Sequence, residues 1–240
     1  MIDLPNENEW LMPHIRWGNR NQPFTPAFWA SSYWTNKVEG TLPKIEKASD
    51  LVEEVAFCIL GGYGIKAELN KAAFERVHQL GYLRAGRRVA LDEIQEALVQ
   101  PFTIGGRDIR YRFPKLKGRY LFEALKELHA CTDLPTDPLE ARNWLLTFKG
   151  IGPKTASWVV RNLFNTDRVA ILDIHLHRAG ILLGLFNEAD SVTKHYFRME
   201  EKFLTFAANL KISASVLDLL IWNVMRENPR SVKNAFLERN

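Results

Sequence analysis

Two residues near the middle of this chain, Lys154 and Asp173, are of types that can do covalent chemistry together. Lys154 closes the run Phe148-Lys149-Gly150-Ile151-Gly152-Pro153-Lys154, and Asp173 comes nineteen residues later, after Val169-Ala170-Ile171-Leu172. The first run reads as a helix end, a tight turn and a new helix. Gly150 and Gly152 can take backbone angles closed to other residues. Pro153 suits a first helical position, where its missing N–H would be unpaired anyway. Lys154 then lies in the first turn, where the helix dipole opposes an ammonium and favours the neutral amine, more so in a partly dry site. A neutral lysine amine is a nucleophile toward a sugar C1′ or a carbonyl, and its product can pass through a Schiff base. Asp173 opens the next helix as an N-cap. A carboxylate at the edge of a cleft can also stabilise positive charge on a sugar or take a proton from an incoming ammonium. The plainer readings are an exposed lysine on a phosphate and a cap without chemistry.

The turn that delivers Lys154 exposes several backbone N–H groups at a helix N-terminus, a site for an anion and most often for a phosphate. The pattern is a helix-hairpin-helix, a clamp on a DNA backbone. Composition is compatible with that partner without requiring it: 240 residues, 46% hydrophobic, 25% charged, a net charge of +4 and an isoelectric point near 9.0. The two cysteines, Cys58 and Cys131, are too few for an iron–sulfur cluster, which takes about four thiolates. No apolar run reaches the roughly 20 residues of a membrane span. Met1-Ile2-Asp3-Leu4-Pro5 lacks the basic and apolar regions of a signal peptide, so cytoplasmic residence is expected.

The helical period positions these residues. An amphipathic helix runs from Leu51 to Ile59 with Ser49 or Asp50 as cap, and stops at Gly61-Gly62-Tyr63-Gly64. Helices follow over Ile65–Leu80 and from Asp92 to before Pro101, then a loop or small hairpin around Gly105-Gly106. A basic stretch (Arg107, Arg110, Arg112, Lys115, Lys117, Arg119) enters a helix carrying Tyr120, Leu121, Leu125 and Leu128. Such a run is a solvated face or, with Tyr111, Phe113 and Tyr120 interleaved, a surface that tracks a nucleic-acid backbone. Asp137-Pro138 starts the helix before the hairpin, and further helices span Tyr196–Ala208 and Ala214–Met225. Residues 1–48 hold Trp10, Trp17, Trp29 and Trp34 between proline turns. They are expected to form an aromatic arm of turns packed on the body, or else the border of a nucleic-acid groove. From Asn228-Pro229 onward a loosely ordered tail is expected. The expected architecture is all-α and two-lobed, with a central cleft. Residues 49–135 form a helical lobe on which the helices of 187–240 pack, and 136–186 form the hairpin lobe.

The combination resembles the helix-hairpin-helix DNA glycosylase superfamily, and within it the compact archaeal and bacterial 8-oxoguanine DNA glycosylases. The match is carried by Phe148 to Ser157 with Arg161-Asn162, by Val169 to His175, by Leu51 to Leu60, by Arg110 to Tyr120 and by Leu217 to Trp222, spanning about Asp50 to Met225. The resemblance implies a bifunctional glycosylase and AP lyase. Lys154 attacks C1′ of a flipped, oxidised guanine nucleoside in double-stranded DNA and forms a Schiff base; β-elimination nicks the strand, and Asp173 is the catalytic carboxylate. The backbone at Gly150, Gly152 and Thr155 and the side chain of His175 would hold phosphates. Trp158 is a base-stacking or core residue; Asp218 would accept from guanine's edge and Trp222 would cover its face. The family's hairpin also holds a structural monovalent cation on carbonyls, here those of Leu146, Phe148 and Ile151; no other cofactor is expected, and the enzyme acts as a monomer away from membranes. Three departures stand out. The Gly61–Gly64 loop lacks the relatives' Pro-Gln-Thr/Ser type sequence, which leaves Tyr63 as the wedge in the DNA stack. The chain runs on past Trp222 to Asn240, and the aromatic arm has no counterpart. The alternatives are a glycosylase for another damaged base and a non-catalytic helix-hairpin-helix DNA-binding protein.

Overall fold

Proline and a hydroxyl or carboxylate side chain start several of the helices in this computed structural model, which describes residues 3–45, 48, 50–62, 64–131 and 133–239. Among the described residues there are eleven α-helices and two small antiparallel hairpins. They fall into two units, one of residues 47–164 and one joining residues 1–46 to 165–240.

In the first unit, α2 (Leu51–Leu60) is capped by Asp50, whose carboxylate accepts from the Glu53 N–H. It packs against α3 (Ala67–Gln79), α5 (Pro114–Ala130) and α7 (Pro153–Phe164). α4 (Leu91–Val99) lies on α5, and α6 (Pro138–Leu145) on α7. The glycine pair Gly105-Gly106 turns β3 (Phe102–Ile104) into β4 (Arg107–Ile109), as the hairpin reading expected. Val55, Ile59, Leu60, Leu98, Leu121, Leu145, Val159 and Val160 are buried to within about one percent, each worth roughly 1.5–3 kcal/mol. The expected separate hairpin lobe of 136–186 is not what forms. Ala156, Val159 and Val160 are buried where α7 packs on α2, so α6 and α7 join the unit of residues 47–135.

In the second unit, β1 (Trp10–Met12) and β2 (Ile15–Arg16) form a short hairpin before α1 (Pro26–Glu39). The arm is therefore not all turns: Pro26 sits in the first turn of a 14-residue helix, capped by Thr25 and ended by Gly40 at φ 69°. Trp29 is fully buried, in one core with Leu172, Leu176, Phe186, Phe203, Phe206, Leu217 and Ile221. These belong to or flank α8 (Ile174–Leu182), α9 (Tyr196–Leu210) and α10 (Ala214–Glu227). The C-terminal helices thus group with the arm rather than with residues 49–135, because the aromatic arm supplies the apolar partner that they bury. Trp10 stays 58% exposed, with the Arg16 guanidinium 4.7 Å from its ring centre. The expected loose tail is also corrected: Pro229 starts α11 (Pro229–Arg239), which packs on α10 through the buried Val232. No single described helix is long and apolar enough to cross a membrane.

Candidate active site

The hairpin is built by backbone bonds that close one helix before the next begins. Leu146 donates to Arg142 O at 3.0 Å, Thr147 to Trp144 O at 3.0 Å, Phe148 to Leu145 O at 3.1 Å and Ile151 to Phe148 O at 3.1 Å. Gly150 takes φ +88°, and a Cβ there would lie 2.2 Å from Cγ of Tyr120. Gly152 is different from expectation: its φ is not positive and nothing lies within 4 Å of a Cβ built on it, so it leaves the rim of the turn open rather than permitting a special angle. The first intrahelical bond of this turn runs from Ala156 N–H to Gly152 O at 3.0 Å. Lys154 and Thr155 precede it, with N–H groups in the position that receives an anion.

Lys154 is half-buried, and its Nζ lies 5.5 Å from the ring centre of Trp158, one turn along. Trp158 is itself fixed edge-on by Phe57, at 5.8 Å and 80°, and by the backbone of Gly61, where a Cβ would come within 3.2 Å of the indole. The tryptophan is thus both a part of the unit's packing and the floor beneath the amine. Behind Gly61, Lys117 Nζ donates to Ile59 O at 2.7 Å and Gly61 O at 2.8 Å, and the Tyr111 hydroxyl donates to Leu60 O. Burial, then the nearby charge of Lys154, lowers the Lys117 ammonium to about 8. Sequence reading put Lys117 in an exposed basic run, either a solvated face or a surface that tracks a nucleic-acid backbone. Its helical phase was the available signal, since Leu121 and Leu125 at four and eight residues on are buried. Tyr63 lies outside the described residues.

The other unit prepares the carboxylate. Asp173 caps α8: its Oδ1 accepts from His175 N–H at 2.8 Å and Leu176 N–H at 2.9 Å. The extended run before it pairs with no strand among the described residues, and side chains bond its backbone instead. Glu200 accepts from Ala170 N–H at 3.0 Å, the Tyr196 hydroxyl donates to Ala170 O at 2.6 Å, and Leu172 N–H donates to that hydroxyl at 3.3 Å. Asp218, only 4% exposed, accepts from Ile171 N–H at 3.2 Å through Oδ2. Tyr196 and Glu200 were missed as positioning residues, since a tyrosine and a glutamate in an amphipathic helix carry no mark of what they face. Trp222 follows Asp218 by one turn, edge-on to His175 at 6.3 Å and with the Arg226 guanidinium 4.2 Å above its ring. So Asp173, His175, Asp218 and Trp222 meet on one unit, while Gly150, Gly152, Lys154, Thr155, Trp158 and the carbonyls of Leu146, Phe148 and Ile151 belong to the other.

Residues 39–212 match the model of the helix-hairpin-helix 8-oxoguanine DNA glycosylases, a stretch that holds the hairpin, Lys154 and Asp173. The 8-oxoguanine DNA glycosylase/AP lyase of Metallosphaera sedula is 35% identical over 139 residues, which cover 55% of this chain and 63% of that protein. Its counterpart in Aquifex aeolicus is 29% identical over 208 residues, covering 80% and 83%. The crystal structure of the 8-oxoguanine DNA glycosylase of Thermotoga maritima superposes with a TM-score of 0.63 at 25% identity, over 83% of this chain and 96% of that one. The chain spans less than two thirds of the length of the Metallosphaera relative. With most of its length matched, hairpin and lysine–aspartate segment included, the chain belongs to the helix-hairpin-helix 8-oxoguanine DNA glycosylase family.

Proposed function

We propose that the protein is a bifunctional DNA glycosylase and AP lyase that acts as a monomer on double-stranded DNA and removes oxidised guanine. The observation that carries this reading is the setting of Lys154: a half-buried amine in the first turn of the helix that leaves the hairpin, resting over Trp158, in a chain of this family. The hairpin's N–H groups at Gly150, Gly152, Lys154 and Thr155 grip backbone phosphates, and His175 takes another. C1′ is closed to a side chain in stacked duplex, so the damaged nucleotide is extruded.

The neutral amine of Lys154 then attacks C1′ as the glycosidic bond breaks and the base leaves with the bonding pair. Asp173 stabilises the positive charge developing on the sugar and accepts the proton that the new C1′–N bond sheds. Ring opening gives the Schiff base. Loss of a C2′ proton then expels the 3′ phosphate, which nicks the strand. Trp222 covers the extruded base and Asp218 accepts from its Watson–Crick edge; Trp158 backs the lysine. Tyr63 fills the gap that extrusion leaves in the stack. The carbonyls of Leu146, Phe148 and Ile151 are uncharged, hard oxygen donors of the kind that a monovalent cation takes, and they would hold it at the hairpin. Such a cation would add positive charge where the phosphate is gripped.

The test is borohydride reduction during turnover on duplexes holding 8-oxoguanine, another oxidised or alkylated base, or no lesion. A covalent adduct on the 8-oxoguanine duplex that disappears with Lys154→Gln supports the reading. An adduct on a different lesion alone moves the substrate, and binding with no adduct on any duplex leaves a DNA-binding protein without the enzyme.

A further inference from the structure

Asp218, Trp222 and Arg226 stand at successive four-residue steps on α10, each step a rise of about 6 Å along the axis. Exposure grows along the stripe: Asp218 is buried, Trp222 half-buried and Arg226 exposed. The neighbouring Leu217, Ile221 and Met225 turn into the core of the unit and Val224 packs against it, whereas Trp222 is in neither group. The ring contacts of its indole lie outside that core. His175 meets it edge-on at 6.3 Å and 83°, and the Arg226 guanidinium lies 4.2 Å from its ring centre.

A helical side chain leans toward the N-terminus of its helix, so a residue one turn on covers the C-terminal side of the one before it. Arg226 thus comes to Trp222 from the side opposite to Asp218. An indole has two faces, and a guanidinium that takes one leaves the other for a second ring. We propose that Arg226 is a positioning residue for base recognition: it holds the Trp222 indole from the C-terminal side, so that the extruded base is received on the face toward Asp218, in the order guanidinium, indole, base. The inference rests on the reading in which Trp222 covers the base and Asp218 accepts from its edge. One stripe of one helix then supplies the reader of the edge, the cover of the face and the support behind that cover.

Three plainer roles compete for Arg226. Its Nη2 lies 3.3 Å from Glu227 Oε1, but the two side chains are 42% and 63% exposed, and a pair so open to water is a weak tether. As a cation in the last turn of α10 it also suits the helix dipole, a role that acts on stability and on no single step of the reaction. As an exposed cation it could hold a DNA phosphate, a role that acts on every duplex alike. These roles separate by reaction step, because a lesion duplex presents a base to cover and an abasic duplex does not.

The experiment compares the wild type, Arg226→Met, Trp222→Leu and the double variant in two single-turnover assays: excision of 8-oxoguanine, and nicking of a duplex with a preformed abasic site. Arg226→Met keeps a long, flexible stem and loses the planar cation. It should slow excision by about five- to thirtyfold, the range that a cation over an indole contributes between wet and dry settings, and leave abasic nicking within about twofold. In the Trp222→Leu background the same substitution should change excision by less than about twofold. Unchanged excision by Arg226→Met, an equal slowing on the abasic duplex, or an undiminished effect without the indole overturns the proposal. The reading beneath it fails differently: the wild type excises no 8-oxoguanine, or Trp222→Leu excises it at the wild-type rate.

Discussion

Tyr120 and Gly150 meet so closely that the aromatic ring fills the place where a side chain at Gly150 would begin, with Cγ 2.2 Å from a Cβ built there. Because φ at Gly150 is +88° as well, two independent constraints exclude any other residue. Gly150→Ala should lower stability by about 2–4 kcal/mol, the sum of overpacking and backbone strain, read as a fall in urea midpoint at constant slope. Gly152→Ala meets open space at ordinary angles and should change stability by less than about 0.5 kcal/mol. If the hairpin grips phosphate, the same methyl stands in the phosphate's approach, and duplex affinity measured by anisotropy should drop several-fold while the melt stays put.

Asp173 has one role that the structure shows, as a cap, and one that is proposed, as a catalytic carboxylate, and substitution can separate them. As a cap it needs an oxygen acceptor, which its Oδ1 provides to His175 and Leu176 N–H at 2.8 and 2.9 Å. As a catalytic carboxylate it needs charge. Asp173→Asn keeps the acceptor and loses the charge, so its melting should match the wild type within about 0.5 kcal/mol while adduct formation slows about 100-fold or more. Asp173→Ala should lose about 1 kcal/mol of stability in addition. An Asn variant that traps at the wild-type rate would reduce Asp173 to a cap.

The lysine–aspartate spacing was legible through its resemblance to the family, and the hairpin was legible because backbone geometry calls for a glycine at Gly150, suits a proline at Pro153 and favours a capping acid at Asp173. The helix at Leu51–Leu60 with its Asp50 cap was legible for the same reason. The arm and the tail were misread because Pro26 and Pro229 were taken as breakers, whereas each occupies the first turn of a helix, where proline fits. The grouping of helices was not legible: which apolar face covers which is decided by side chains such as Trp29, which shares a core with Leu172, Phe186 and Phe203, more than a hundred residues away. Lys117 was hidden by its neighbours, since five exposed basic residues made a sixth, turned inward, look like one of them.

The two cysteines should differ sharply as nucleophiles. Cys58 is buried, and burial and the adjacent Glu54 carboxylate push its thiol well above the ordinary value. Because the thiolate is the reactive form, almost none is present at pH 8. Cys131 is half-buried and donates to Asp133 O at 3.3 Å. A disulfide reagent at pH 8 should titrate one thiol in the native protein and two in urea, with mass spectrometry placing the first on Cys131. Two rapid equivalents without urea would show that the α2 core around Glu54 opens.

The helix that carries Asp218 and Trp222 is started from outside itself. Ser213, at the N-cap of α10, makes no side-chain cap bond to the helix. Asp167 instead accepts from Ser215 N–H at 2.9 Å and from the Ser213 hydroxyl at 2.7 Å, both through Oδ1. Partial burial raises its carboxyl, but the bonds from Ser215 and Ser213 outweigh that and hold it below the ordinary value. For a carboxylate lowered on folding, the stabilisation is complete above the unfolded value of about 3.9 and is lost as pH falls through the folded value beneath it. Asp167→Ala should therefore cost about 1 kcal/mol at pH 7, not more, because the group is exposed to water. The difference from wild type should shrink toward zero as urea melts are repeated from pH 4 downward. If α10 presents Trp222 to an extruded base, the variant should also weaken binding to 8-oxoguanine duplex more than to undamaged duplex at pH 7. An equal loss on both would place the role of Asp167 in stability alone.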